Sequence, residues 1–417
     1  METSRHIVVI GGGVVGLCAA YALLRRGHEV TLIEALPQVG HQASYANGGQ
    51  LSYRYVSPLA DAGVPTDAIR WLFRADSPIA LTLRADCRQW RWLLEFLRAC
   101  RADINRAHAA LLLELALRAR DSLTSWRHEG LGAFDWRQAG KLVIHRRSAA
   151  LKKAAAHIVQ QDLQHVLTAD ECIATEPALD TMRGRFAGGI FTPDEEVADC
   201  AKFCEVLDAK MSENPLFSRL KGEATLHSGS GGGRELRASV MVEGVTVDAD
   251  DVVVAAGLNA AGLLRRCGVD VPIYGLKGYS LTVTHPQGVV PSISVTDYAN
   301  RVVYARLGDR LRAAAMVDIG ATQAAPNPRR IAQLRKLAQD IFPLADDYAH
   351  ADVWAGFRPA TPTGLPIVGR APGFSNLYID AGQGALGFTL APGCGEVIAD
   401  LISGDTLPSS MTAFGLA

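Results

Sequence analysis

HIVVIGGGVVGLCAAYALLRRGHEVTLIE, residues 6–34, reads as an apolar strand, a glycine turn, a helix and a second apolar strand. This is the opening of a βαβ unit. Gly11, Gly13 and Gly16 form GxGxxG between the first strand and the helix. The first glycine makes the turn, the second admits a pyrophosphate, and the third lets helix pack on strand. Val14 and Val15 begin the helix, whose N-terminus would face the negative charge. Glu34 closes the second strand with Ala35 behind it. A carboxylate there accepts hydrogen bonds from both hydroxyls of an adenosine ribose and repels the 2′-phosphate of an NADP-type cofactor.

Further along the chain the same chemistry returns. SYANGGQLS at 44–52 is small, polar and glycine-bearing, so Ser44, Asn47, Gly48, Gly49 and Gln50 suit backbone approach along an extended cofactor. A second glycine-bearing strand end, VVVAAG at 252–257, offers Ala256 and Gly257. A third, DAGQGALG, leads into a helix through Gly384, Ala385, Leu386, Gly387, Phe388 and Thr389. That helix start would set its positive dipole end against the N1–C2=O edge of a flavin, where a reduced ring gathers negative charge. These features select FAD over NAD.

The rest of the chain bounds the class. With 417 residues, 48% hydrophobic, two domains of a soluble enzyme are expected. Lys plus Arg (42) nearly balance Asp plus Glu (43), which leaves no basic field for nucleic acid. The eight cysteines lack CxxC spacing, so a metal or iron–sulfur site is not expected, and they read as reduced thiols of a cytoplasmic protein. No charged leader precedes the apolar run at Ile7, and Arg, Asp or Gly interrupts each run approaching the roughly 20 residues needed to span a bilayer. From Thr66 to Trp126 Arg, Leu and Trp dominate, with Ile104, Ala107, Leu111 and Leu115 at helical spacing, so a helical insertion is expected. Short β-rich runs fill about 140–260, with SGSGGG at 228–233 read as a hairpin turn, and 273–355 reads as a second β-rich unit.

The chain resembles the DAO-type flavoprotein family of glycine and D-amino-acid oxidases, and within it the bacterial D-amino acid dehydrogenases of the small-subunit type. The stretches that carry the resemblance are residues 10–34 and 44–52 above, GVPTDAIRWLF at 63–73, LKGYSLT at 276–282, WAGFRPATPTGLPIVGR at 354–370 and GQGALGFTLAPG at 382–393. They span nearly the whole chain. The resemblance implies an α/β fold with a discontinuous, glutathione-reductase-like Rossmann domain for FAD (1–60, 140–270 and 356–417). A β-sheet substrate domain with the helical insertion (61–139 and 271–355) completes it.

The resemblance also implies site residues. Arg358 of GFRP would grip a substrate carboxylate, for which a planar guanidinium fork is suited. Lys277 and Tyr279 of LKGYS would approach flavin or substrate. Gln383 stands where similar enzymes carry the histidine of GHG, and PDEEVADC at 193–200 lacks the glycine they place before its second Asp. Ala46 stands where some related amine dehydrogenases link FAD through His, so FAD is expected to be non-covalent.

The implied reaction is oxidative deamination of a D-amino acid by hydride transfer from Cα to flavin N5, giving a 2-oxo acid and ammonia. With no haem or iron–sulfur motif, electrons would leave to an external acceptor, such as a quinone. Two alternatives stay open: a D-proline, hydroxyproline or sarcosine-like secondary-amine dehydrogenase, with the chain as flavin subunit of a hetero-oligomer, and a non-catalytic flavin-binding protein. In residues 69–100, Trp71, Phe73, Trp90, Leu93, Leu94 and Leu97 alternate with Arg70, Arg74, Arg88, Arg91 and Arg98. The segment suits peripheral contact with the cytoplasmic membrane face. Equally, Trp90, Leu93, Leu94 and Leu97 would make one ordinary packed helical face.

Overall fold

The computed structural model describes residues 4–64, 77–158, 162–230 and 235–416. The opening strand His6–Ile10 lies in the middle of a six-stranded sheet. It pairs in parallel with Glu29–Glu34, which continues to Phe217–Lys221, and on its other side with Asp251–Val254 and then Leu377–Ala381. Ile367–Arg370 closes that edge antiparallel. Ile7, Val8 and Val9 are all buried because both faces of a parallel sheet are covered. Ile7 and Val9 face the first helix Val14–Arg25 and the terminal helix Gly387–Ser403, while Val8 and Ile10 face helix Ala260–Arg265 and a small antiparallel sheet of Ala224–Ser230, Leu236–Val242 and Val245–Val247.

Two glycines explain how closely the terminal helix is held. A Cβ at Gly395 would stand 2.6 Å from the Cys18 carbonyl oxygen, and one at Gly393 2.8 Å from that of Leu115. The helix therefore wedges between the first helix and the long helix Ala102–His128. Gly384–Ser403 is, among the described residues, the one helix long and apolar enough to cross a bilayer by composition, and 78% of its apolar 18-residue window is buried inside the protein. Its apolarity serves the core.

Among the described residues the second sheet has nine strands. Asp352–Ala360, Tyr274–Thr284, Arg310–Ile319, Val302–Leu307 and Ser294–Asp297 run in that order to Lys141–His145, Gly188–Thr192 and His165–Thr168, with Ile79–Leu81 beside Arg310–Ile319. Helix Pro328–Ile341 packs its Ile331, Leu334 and Ala338 on one face of it.

Several expectations need correcting. The strands between 141 and 192 belong to this second sheet rather than to the parallel one, so the expected 140–270 segment divides between the sheets. Alternating apolar residues specify a strand but not the sheet it joins. Helix Ala102–His128 packs against the parallel-sheet unit through Leu112, Leu115, Ala116, Leu123 and Trp126, with Leu111 beside them; of the expected stripe Leu115 is buried and Leu111 packed, while Ala107 is exposed.

In helix Cys87–Ala99 the packed face is Gln89, Trp92, Phe96 and Ala99, while Trp90, Leu94 and Leu97 are 47%, 55% and 52% exposed. Gln89 is satisfied inside: its amide donates to the Thr82 carbonyl and its carbonyl accepts from the Arg84 amide, while Trp92 Nε1 donates to the Ala360 carbonyl. Trp92, Phe96 and Ala99 thus carry the packed apolar face, and Gln89 is tolerated among them because its polar groups are paired. Arg70, Trp71, Phe73 and Arg74 lie outside the described residues. So does the tip of the 228–233 turn, although the strands flanking it pair antiparallel as a hairpin would.

Candidate active site

The glycine turn, the 44–52 segment, the strand end at Ala256 and the start of the terminal helix all open onto one cavity of about 2120 Å³. Small-molecule pockets usually measure about 300–1,000 Å³, so this space suits an extended cofactor together with a substrate. Gly11, at φ +116°, could carry no side chain, since a Cβ would lie 2.5 Å from the Ala255 carbonyl oxygen. Gly257 and Gly384 have positive φ and nothing within 3.5 Å of an added Cβ, so bare backbone faces open space there. Ser44 Oγ accepts from the Val14 amide, and Glu34 accepts from the Gly12 amide at 2.6 Å and the Leu36 amide at 2.8 Å. Both carboxylate oxygens keep lone pairs for a further donor.

Of the residues expected at a cofactor, Gly13, Val14, Val15, Ala35, Asn47, Gly48, Gly49, Gln50, Ala256, Gly257 and Ala385 to Thr389 line this cavity with Gly11, Glu34, Ser44 and Gly384. Gly16 lies behind it: a Cβ there would come within 1.9 Å of the Gly11 carbonyl oxygen. The 44–52 segment is pinned from the second sheet, where Ser280 Oγ donates to the Ala46 carbonyl and Arg312 Nη1 to that of Asn47. Residues 193–200 act in the frame: Asp194 and Glu195 pair with Arg54, and Asp199 with Arg310 and Arg312.

Arg358 reaches the same cavity from Asp352–Ala360. Its guanidinium is enclosed by protein apart from its cavity face, donates through Nη1 to the Met316 carbonyl at 3.0 Å, and has no ion-pair partner among the described residues. Burial pushes it down to about 10, so it stays charged near neutral pH. Its place depends on two backbone features. A Cβ at Gly278 would lie 2.4 Å from Nη2. Met316 takes φ +68° opposite a register shift between Lys277 and Tyr279, an uncommon backbone state for a residue with a side chain.

Of the three other expected catalytic side chains, Lys277 and Tyr279 behave differently. Lys277 turns away from the main cavity and donates from Nζ to the Gln323 and Ala325 carbonyls, both at 2.6 Å, beside a separate cavity of about 900 Å³. The strand's parity explains this correction: 277 lies on the face opposite Gly278, whose Cα faces Arg358. Tyr279 borders both cavities, but its hydroxyl donates to Asp318 Oδ2 at 2.7 Å. Burial and that carboxylate raise it well above the usual phenol range, so it holds its proton.

Gln383 lines the main cavity and donates through Nε2 to Asp380 Oδ1 at 2.6 Å. Asp380 is fully buried, its Oδ2 has no partner among the described residues, and burial lifts its carboxyl strongly toward the neutral form. Ala360 and Gln383 are joined by a β-bridge, which ties the Arg358 strand to the loop before the terminal helix.

Sequence reasoning missed Lys141, Ser52, Tyr55 and Trp354, which line this cavity too. A lysine opening the apolar run KLVIH gives no sign of its surroundings.

Residues 6–401 match the family described as FAD dependent oxidoreductase (DAO). The chain is 49% identical over 415 residues to D-amino acid dehydrogenase 2 of Pseudomonas aeruginosa, covering 99% of this chain and 98% of that one. It is 42% identical over 412 residues to D-amino acid dehydrogenase 2 of Ralstonia nicotianae, covering 95% and 96%. Among solved structures, glycine oxidase from Geobacillus kaustophilus superposes with a TM-score of 0.75 at 20% identity, covering 99% of each chain.

Proposed function

The chain belongs to the DAO family of FAD-dependent oxidoreductases, and from that membership we propose that it deaminates a D-amino acid oxidatively to the 2-oxo acid and ammonia. One observation carries the reading at the site: a half-buried, charged Arg358, with no carboxylate partner among the described residues, faces the cavity that the glycine turn and terminal helix also face. The named dehydrogenase relatives support the D-amino acid as substrate. Bare backbone at Gly257 and Gly384, the room of the cavity and the lone pairs of Glu34 suit FAD, held without a covalent link. The parallel-sheet unit with its helices would hold the cofactor and the nine-stranded sheet the substrate.

FAD, when bound, supplies the two-electron acceptor for the substrate's hydride. Arg358 offers two parallel N–H groups to the carboxylate oxygens, and the Met316 carbonyl fixes the plane of that fork. Holding the carboxylate fixes where Cα–H points. A cavity wall beside a guanidinium favours the neutral amine, its proton passing to water on binding, so the chain needs no base for that step; hydride transfer from Cα forms no bond to the protein and needs no nucleophile of its own. Water then hydrolyses the released imino acid.

Anaerobic mixing of the yellow protein with D- and L-amino acids, D-proline, hydroxyproline isomers, glycine and sarcosine tests this. Fast bleaching by a D-amino acid is the expected result. Bleaching by secondary amines alone would reassign the substrate, and bleaching by none would sink the proposal.

We propose further that electrons leave to a quinone at a membrane surface. The exposed Trp90, Leu94 and Leu97 support this, because their helix also brings Arg88 and Arg91 to the cavity mouth. Inserting such a side chain gains roughly 1.5–3 kcal/mol. Changing all three to Ser should therefore weaken co-sedimentation with anionic vesicles at least about tenfold. Equal sedimentation of wild type and triple variant would refute the membrane role.

A further inference from the structure

We propose that Lys141 is a positioning and tuning residue: an ammonium built into the cavity wall that favours negative charge on the bound flavin. The inference rests on the FAD reading above and adds a residue to it.

Lys141 opens the strand Lys141–His145 and is only 5% exposed. Its Nζ donates to Gln50 Oε1 at 2.9 Å and Ser52 Oγ at 2.8 Å, and stands 4.5 Å from the centre of the Tyr55 ring. Both acceptors are neutral, and no carboxylate lies within ion-pair reach of it among the described residues. The acid nearest in effect, Glu195, acts through space. Glu195 Oε1 accepts from the Arg54 amide and lies 3.5 Å from the Arg54 guanidinium, which also pairs with Asp194. A buried cation costs several kcal/mol unless charge compensates it. Here the cavity is where that charge can come from.

The direction of the effect follows from what holds the ammonium. The Ser52 amide contacts Thr389 Oγ1, and that hydroxyl reaches the Gln50 carbonyl, both at 3.4 Å. Thr389 lies in the first turn of Gly387–Ser403. Both acceptors of Lys141 are thus laced to the helix end whose dipole is positive. The two positive sources converge on one end of the cavity, where added electrons raise negative charge. Lys141 would act on the flavin directly and also by fixing Gln50 and Ser52.

Desolvation pulls Lys141 down from 10.5 to about 8. Set by the protein alone, the ammonium is present below that pH and is lost above it, and negative charge on a bound flavin would hold it to higher pH. Of the groups facing it, Tyr55 is raised to about 12 and stays neutral there, Glu195 is raised by burial, and Arg54 keeps its pairs with Asp194 and Glu195.

The test measures the midpoint potential of FAD in the holoenzyme of wild type, Lys141→Met and Lys141→Arg from pH 6.5 to about 9.5. Met should lower the reduced-to-oxidised ratio at fixed potential at least tenfold, which is about 30 mV for a two-electron couple, and Arg should restore most of it. Reduction of wild type should take up one more proton above about pH 8, giving a steeper slope that Met lacks. A Met variant with wild-type potential and slope overturns the proposal. Should that variant lose FAD, Lys141→Gln is measured in its place, and a wild-type potential in that variant overturns the proposal. A wild-type protein that carries no FAD would instead sink the cofactor reading itself.

Discussion

Arg358→Met lowers kcat/KM for the D-amino acid by roughly 10² to 10⁴ while the purified protein stays yellow. Truncating one partner of a buried, hydrogen-bonded charge pair costs about 2–5 kcal/mol or more, and about 1.4 kcal/mol is tenfold in rate. The loss falls on both KM and kcat, because the carboxylate contact binds the substrate and also aims its Cα–H. Lys in its place keeps the charge but loses the planar fork, so Arg358→Lys should fall between wild type and Met.

Gly278→Ala supplies an independent arm. It removes no charge, yet its Cβ would collide with the guanidinium at 2.4 Å, so it should reproduce most of the kinetic defect. Steady-state kinetics beside the flavin-to-protein ratio check all three. Variants within threefold of wild type would remove the carboxylate grip, and with it the reason for calling this cavity an amino-acid site.

How much of this was legible in the sequence differs from element to element. Residues 6–34 were readable because each local signal agreed: two buried strands, glycines where a side chain would clash, and a carboxylate at the second strand's end. Arg358 was readable from its motif. Lys277 was misread because Tyr274–Thr284 is buried on both faces, so no alternation of polar and apolar residues shows which parity meets the cavity. Lys141 was invisible for a different reason: its meaning comes from Gln50 and Ser52, which lie about ninety positions earlier in the chain.

The face of helix Cys87–Ala99 was inverted for a different reason. Trp92, Phe96 and Ala99 carry the packed face while Leu94 and Leu97 stay outside, and Gln89 is tolerated among them because it finds two backbone partners inside. Apolar periodicity does not show that a buried polar residue finds such partners.

Gly16→Ala yields protein with little or no flavin. A methyl group there would stand 1.9 Å from the Gly11 carbonyl oxygen and 3.3 Å from Ala255 Cβ. These are backbone and a buried strand neighbour, not the end of a flexible side chain, so the helix has to back away from the strand. Overpacking of this kind typically costs 1–3 kcal/mol, and the buried core around it is large enough that the fold should survive with a lowered Tm. The cofactor site should not survive. Gly13, whose carbonyl accepts from the Leu17 amide, moves with the first turn, and so does the Val14 amide that Ser44 holds. An affinity for FAD weakened at least about 100-fold, roughly 2.7 kcal/mol, is the expected outcome of a titration followed by flavin fluorescence. Gly229→Ala is the control, since a Cβ there meets nothing within 4 Å and should leave both Tm and flavin content unchanged. If Gly16→Ala bound FAD as tightly as that control, the close contact of helix and strand would not be what shapes the pyrophosphate cradle, and the roles read into the opening glycines would have to be reassigned.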